Sequence, residues 1–334
     1  MNNLLFFSFV VVASFLLTEL IRRYTLKKNL IDTPNERSSH TIPTPHGGGL
    51  SIVVTFFVAV IFVDFLSSEL LIALIGSGSV IAVIGFWDDL NHISAKWRLL
   101  IHFVASFWVL YWLGGITEFQ ILNYSIDAGI FGLGFIAFLL VWLLNLFNFM
   151  DGIDGIAASE AIFVSCGGAY FSWSYGFDGL AIISLLLASS TMGFLILNWS
   201  PAKIFMGDVG SGFLGLMLGV IAYANILEGG SVWVWVILLG VFLVDSGVTL
   251  IRRILNGEKW FDAHCSHAYQ HAARKWGHKK ITVSVIVINF LWLFPLAYLV
   301  YLKPDIGVWI TLFALTPLII VALKLNAGRT QSKC

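Results

Sequence analysis

The sequence predicts an all-α polytopic membrane protein, a bundle of about eleven transmembrane helices forming a single integral-membrane domain over 1–334. Three observations carry that reading. The chain is 58% hydrophobic and only 11% charged, where a soluble domain carries roughly 25% charged residues. Eleven apolar stretches approach the roughly 20 residues that a helical crossing needs. The basic residues are also segregated. With the loop after the first span placed in the cytosol and the rest alternating, every Lys and Arg except Lys303 falls on the cytosolic side. The net charge of zero conceals this segregation. The lipid bilayer is the partner that composition names. Nucleic acid is excluded, because the basic loops also carry acidic motifs.

The first span, about 3–23, has no small-residue cleavage site and runs into Arg22-Arg23, so it reads as a retained helix. Glu19 is placed to pair with those arginines. The loop that follows holds Asp32, Pro34, Asn35, Arg37 and His40, then Pro45-His46-Gly47-Gly48-Gly49. Its prolines and glycines mark an ordered turn before span 49–66. Arg37 suits an anion, and a solvated basic loop fits the same spacing.

Span 69–87 ends in Trp87-Asp88-Asp89. Adjacent carboxylates repel unless a cation sits nearby, and with one nearby they are useful. One approaches a metal while its neighbour accepts a proton. The plainer reading is an acidic, solvated helix end. Lys96 follows seven residues later and suits a diphosphate. His102, inside span 97–115, reads as a packed interior residue.

Span 129–147 runs into Asn145, Asn148, Asp151 and Asp154, one every three residues, with Gly152 and Gly155 between them. Neighbours at that spacing sit close on a helix, and the glycines loosen its end. Spans 156–175 and 178–197 lead to Asn198, Lys203 and then Gly207-Asp208-Val-Gly210-Ser211-Gly212, which opens span 210–228. Small residues and a hydroxyl beside a carboxylate at a helix start suit close approach to a phosphate or its metal. A tight re-entry turn with Asp208 near a cap is the structural alternative.

Span 231–251 contains Asp245, whose face Arg252 shares seven residues on. The loop beyond it carries His264, His267, Tyr269, Gln270 and His271 before spans 281–302 and 306–325. That density of histidine fits metal, phosphate contact or acid–base work, and equally an amphipathic interfacial helix. No pair among Cys166, Cys265 and Cys334 is placed for a disulfide, and three scattered cysteines do not make a zinc site. Hard oxygen ligands in this number point to Mg²⁺ and so to phosphate chemistry.

With these residues laid out, the chain resembles the polyprenyl-phosphate N-acetylhexosamine-1-phosphate transferases, the glycosyltransferase family 4 enzymes that start peptidoglycan lipid, teichoic-acid and O-antigen synthesis. The resemblance runs through Asp32 to His40, Asp88-Asp89 to Lys96, Asn145 to Gly155, Asn198 to Gly212 and Asp245 to Gln270. It implies a cytosolic active-site cleft in the bacterial inner membrane. It also implies transfer of an N-acetylaminosugar 1-phosphate from a UDP-sugar to undecaprenyl phosphate, with Mg²⁺ as cofactor and Mn²⁺ as a substitute. By this resemblance Asp88, Asp89, Asp151 and His267 are catalytic candidates. Asn148 and Asp208 are the metal ligands. Lys96, Asp154, Asn198, Lys203, Arg37 and His264 bind substrate.

Two departures bear on the branch. Where many members carry a His-x-His-His cluster, this chain has His267-Ala268-Tyr269-Gln270. Leu90 also replaces a third consecutive aspartate. Both point toward the O-antigen-initiating branch, with sugars of GlcNAc, FucNAc or QuiNAc type, and away from a muramyl-pentapeptide. A homodimer is carried beside a monomer. The competing class is a transporter, which predicts carboxylates near the bilayer midplane and an inverted repeat.

Overall fold

The computed structural model describes residues 3–32, 43–63, 66–91, 93–115, 118–121, 124–127, 129–258 and 265–329. Two of the expected site residues, Arg37 and His264, lie outside them.

The chain is helical nearly throughout. Helices α1 (Asn3–Lys27), α2 (Leu50–Val60), α3 (Ser68–Leu90) and α4 (Ala95–Leu113) come first. Then follow α5 (Gly129–Met150), α6 (Ile156–Ser174), α7 (Asp178–Asn198) and α8 (Asp208–Leu227). The last group is α9 (Val232–Leu238), α10 (Gly240–Leu255), α11 (Ala268–Trp276), α12 (His278–Ile288), α13 (Phe294–Leu302) and α14 (Gly307–Lys324). A π-turn, Asn289–Leu293, joins α12 to α13 in one continuous rod. Two antiparallel pairs, β1 (Ile31–Asp32) with β2 (Thr44–Pro45) and β3 (Glu118–Ile121) with β4 (Tyr124–Asp127), are the strands among the described residues.

Every expected span contains helix, but not eleven membrane-length helices. Among the described residues seven helices are long and apolar enough to cross, or eight if the bent pair α9–α10 is one span. The chain is therefore a multi-pass membrane protein. At a rise of 1.5 Å per residue, α2 is only about 17 Å long against a hydrocarbon core of about 30 Å. The span expected at 231–251 is broken at Leu239-Gly240 and turns by 77°. Gly240, with its low helix propensity, sits at that break. The ordered turn expected at Pro45–Gly49 is present. Gly48 N and Gly49 N donate to Phe205 O and Met206 O, both at 2.9 Å, so the turn braces the segment that leads into α8.

Helix α8 is the axis. Of its most apolar window, 94% is buried, against 17% for α1 and 28% for the α12–α13 rod and for α14. A helix that is apolar all round belongs either inside protein or in lipid, and both uses occur here. Phe213 of α8 meets Phe56 and Phe57 of α2 edge-on at 5.8 and 5.4 Å. Because α8 lies between α3 and α5, its first residue is flanked by the last turns of both.

The tail after α14 corrects the cysteine reading. It folds back so that Gly328 N donates to Ser266 O (2.8 Å) and Arg252 Nη1 to Ala327 O (2.7 Å). Cys265, beside that docking point, is disulfide-bonded, and Cys166 is free. Arg252 is thus turned to the tail rather than toward Asp245.

Candidate active site at one end of the bundle

Asp88 lies in the last turn of α3. The chain leaves that helix through an extended Asn91 and enters α4 at Ala95, so Arg98 in the first turn of α4 faces back onto the end of α3. Asp88 Oδ1 accepts from Ile93 N (2.7 Å), which fixes the carboxylate. Arg98 Nη1 donates to Asp88 Oδ2 and also to Asp208 Oδ2 (2.8 Å). The Asp88 and Asp208 carboxyls touch each other as well, an arrangement that requires a cation or a shared proton.

Asp89 is used differently. Its Oδ1 accepts from Asp208 N (2.9 Å) and its Oδ2 from Val209 N (3.3 Å). The first amides of a helix have no partner within it, and a carboxylate there also meets the favourable end of the dipole. Asp89 is thus a cap on α8 supplied by α3. Gly207 takes φ +77°, and a Cβ there would lie 2.5 Å from Asp89 Oδ2, so only glycine admits this cap.

The Asn/Asp series divides where α5 ends. Asn145 Nδ2 donates to Val141 O of its own helix (2.7 Å) and takes no part. Asn148 Oδ1 accepts from Ser211 Oγ (2.8 Å) on α8. Asn148, Asp208, Arg98 and His102 line one small cavity with Gly212. Asp151 follows the helix, half-buried. Burial, together with the charges of Asp89 and Asp154, pushes its carboxyl up to about 7. Burial acts on Asp154 in the same direction. There it is outweighed by the His278 imidazole (Nδ1 to Oδ1, 3.2 Å) and by bonds from Ser200 and Ala202 N (3.3 Å), which hold the carboxyl low. Asn198 ties these loops together: its Oδ1 accepts from Gly155 N (3.1 Å) and its Nδ2 donates to Ile204 O (2.9 Å).

A second acidic cluster lies where α10 meets α11. Asp245 Oδ1 accepts from Ala268 N (2.9 Å) and Oδ2 from Tyr269 N (2.8 Å), while His267 Nδ1 lies 3.3 Å from Oδ1. His267 is 2% exposed, and its Nδ1 contact helps seat the first turn of α11 on Asp245. Tyr269 Oη donates to Phe149 O (3.0 Å), and its phenol is held well above its ordinary value by burial and by Asp245 and Asp151. A Cβ at Gly152 would lie 2.1 Å from that Oη, which accounts for glycine beside Asp151.

Asp88, Asp89, Asn148 and Asp208 therefore converge, as the sequence predicts, with Asp151, Asp154 and Asn198 beside them. Lys96 and Lys203 are exposed, without a side-chain hydrogen bond among the described residues. Sequence reasoning missed Arg98, His278 and Glu160. A signal existed for two of them, because a charged residue inside an apolar span is costly enough to invite a functional question. Glu160, 0% exposed in α6, accepts from Asn289 Nδ2 at 2.6 Å, one turn beyond the Asp154 loop. His278 sits at the start of α12 and has no comparable signature.

The donor set fits Mg²⁺. Among the described residues no three carboxylate, imidazole or thiolate groups form a ready-made cage. Mg²⁺ bound to phosphates uses one or two carboxylates, water and the substrate's own oxygens. Asp208 would supply a hard carboxylate oxygen and Asn148 an amide oxygen, with Asp88 beside them, and the Arg98 guanidinium already stands between the two acids as a cation.

A family model described as glycosyl transferase family 4 matches residues 71–226, the stretch from α3 through α8. A probable undecaprenyl-phosphate N-acetylglucosaminyl 1-phosphate transferase of Bacillus subtilis (strain 168) is 29% identical over 315 residues, covering 91% of this chain and 86% of that protein. A phospho-N-acetylmuramoyl-pentapeptide-transferase of Clostridium perfringens (strain 13 / Type A) is 30% identical over 270 residues, covering 74% of this chain and 82% of its own length. On the site geometry and these likenesses together, the chain belongs to glycosyl transferase family 4, the polyprenyl-phosphate N-acetylhexosamine-1-phosphate transferases.

Proposed function

We propose that the protein transfers an N-acetylaminosugar 1-phosphate, of GlcNAc, FucNAc or QuiNAc type, from a UDP-sugar to undecaprenyl phosphate, and so initiates O-antigen or a related cell-surface polysaccharide. The observation that carries this is the meeting of Asp88 and Asp208 on Arg98 at the shared end of α3, α4 and α8. A long lipid acceptor needs a site at the membrane surface. A soluble dianionic donor needs one facing the cytosol beside positive charge. The distribution of Lys and Arg supports a cytosolic site in the inner membrane.

The reaction is a single displacement. An oxygen of the lipid phosphate forms a bond to the sugar-bearing phosphorus of the donor. The bond from that phosphorus to the bridging oxygen breaks, and UMP leaves with that oxygen. Asp88, anchored by Ile93 N, takes or steers the proton of the lipid phosphate. Asp89 holds Asp208 in place through the α8 amides. Asp208 and Asn148 would hold Mg²⁺, or Mn²⁺ in its stead, which would supply neutralising charge for the donor diphosphate. Asp154 and Asn198 order the loops expected to receive the uridine, and Lys96 and Lys203 add mobile positive charge for its phosphates. Leu90 and the Tyr269-Gln270 pair support a small amino sugar over a muramyl-pentapeptide.

The test is isotope exchange between labelled UMP and a panel of UDP-amino sugars, using purified protein. Exchange that requires both Mg²⁺ and undecaprenyl phosphate supports the reading. Exchange without the lipid, or none with any donor, overturns it.

A further inference from the structure

We propose that Arg98 is an exchangeable internal cation. It holds Asp208 together with the neighbouring Asp88 and yields Asp208 when the divalent metal binds, its guanidinium then turning to the donor's phosphate oxygens. The inference rests on the reading of Asp208 as a metal ligand.

The geometry argues for exchange rather than for a fixed lock. One nitrogen, Nη1, serves both carboxylates, so the guanidinium occupies the position from which a single cation can address both acids. An arginine built as a permanent tie grips a carboxylate with two parallel bonds. Among the described residues only Nη1 is engaged here, and Nε is buried with no partner among them. An unmet donor of that kind is costly to keep and is available to a ligand. Arg98 is also 26% exposed, so it is not walled in. The cavity it borders continues past His102, one turn further along α4, whose Nδ1 likewise has no partner among the described residues.

The Asp88 carboxylate and the Asp208 backbone do not depend on Arg98 for their placement. Asp88 is anchored by Ile93 N, and the backbone of Asp208 by Asp89. If Arg98 leaves, the Asp88 carboxylate and the start of α8 stay where they are, with less positive charge between the two acids. Removing the guanidinium therefore strengthens metal binding. A purely structural bridge predicts the opposite, since acids released from it would move apart. A residue that only binds phosphate predicts no change while nucleotide is absent.

The test is a Mn²⁺ titration of detergent-purified protein without nucleotide or lipid, followed by the electron paramagnetic resonance signal of free Mn²⁺. Arg98→Ala and the longer, neutral and polar Arg98→Gln are expected to bind Mn²⁺ about tenfold tighter than the parent protein, the worth of one charge-assisted hydrogen bond. Arg98→Lys, which keeps one cationic nitrogen, is expected to stay near the parent affinity. Asp208→Asn is expected to lose the site. Equal or weaker binding in the neutral variants, with Asp208→Asn still losing the site, overturns the exchange. Parent-like binding in Asp208→Asn overturns the metal assignment itself, whatever Arg98 does. Should Arg98→Ala fail to fold, Arg98→Gln decides.

Discussion

Two carboxylate sites meet the ends of helices in this protein, and they do different work. Around Asp88 and Asp208, the carboxylate oxygens meet a partly exposed guanidinium that has donors to spare. Around Asp245 both oxygens are engaged by the opening amides of α11 and by His267, and the group is 6% exposed. An aspartate that faces a helix end in a membrane protein is thus not a catalytic residue by virtue of its position. What separates the two uses is whether backbone amides occupy both of its oxygens, as at Asp89 and Asp245, or only one, as Ile93 N does at Asp88. Asp89 shows the distinction within one dipeptide, since it caps α8 while its neighbour Asp88 faces Arg98.

That contrast is sharpest in the largest expected effect. Asp208→Asn and Asp88→Asn are expected to lower transfer by about a thousandfold or more, the scale of removing a preorganised charge from a phosphoryl-transfer site. Their thermal unfolding in detergent should match that of the parent. Near-parental rates in either would remove that residue from the reaction. Asp245→Ala should do the reverse. It breaks a buried, fully engaged carboxylate and should cost about 3 kcal/mol of stability, read from the denaturation midpoint. An unchanged midpoint would make the Asp245 cluster something other than structural.

Gly152→Ala tests the seam between the clusters. Its Cβ meets Tyr269 Oη and should dislodge the bond to Phe149, costing about 1–3 kcal/mol as overpacking does. Trimming Tyr269 to Phe in the same chain should recover part of the loss, and no recovery would place the clash elsewhere. Proton linkage probes Asp151. Its folded-state value of about 7 lies above the ordinary 3.8, so its contribution to stability is complete below 3.8 and is lost as pH rises through about 7. Asp151→Asn should therefore flatten the fall in melting temperature between pH 5 and 8, and an unchanged slope would exclude Asp151 as its source. The smallest effect belongs to Lys96→Ala. The side chain is exposed and unengaged, so KM for the donor should rise by about threefold, as for an exposed charge contact. Stability should not change. An effect on kcat would mean that Lys96 reaches the reacting phosphorus.

Composition, the apolar stretches and the distribution of Lys and Arg were enough to specify a helical membrane bundle and to put the Asp and Asn motifs on one side of it, and the family resemblance singled out Asp88, Asn148 and Asp208 among them. Such properties are local, or they sum along the chain, and neither depends on how helices pack. The broken span at Leu239-Gly240 and the short α2 were beyond that reach, because hydropathy counts residues and says nothing of helix direction. The assignment of Asp89 and Asp245 to capping depended on which amides lie opposite them. Those partners are 119 and 23 residues away in the chain. Arg98 was visible as a charge within an apolar stretch. Only the packing of α3, α4 and α8 placed its guanidinium between two acids 110 residues and ten residues distant.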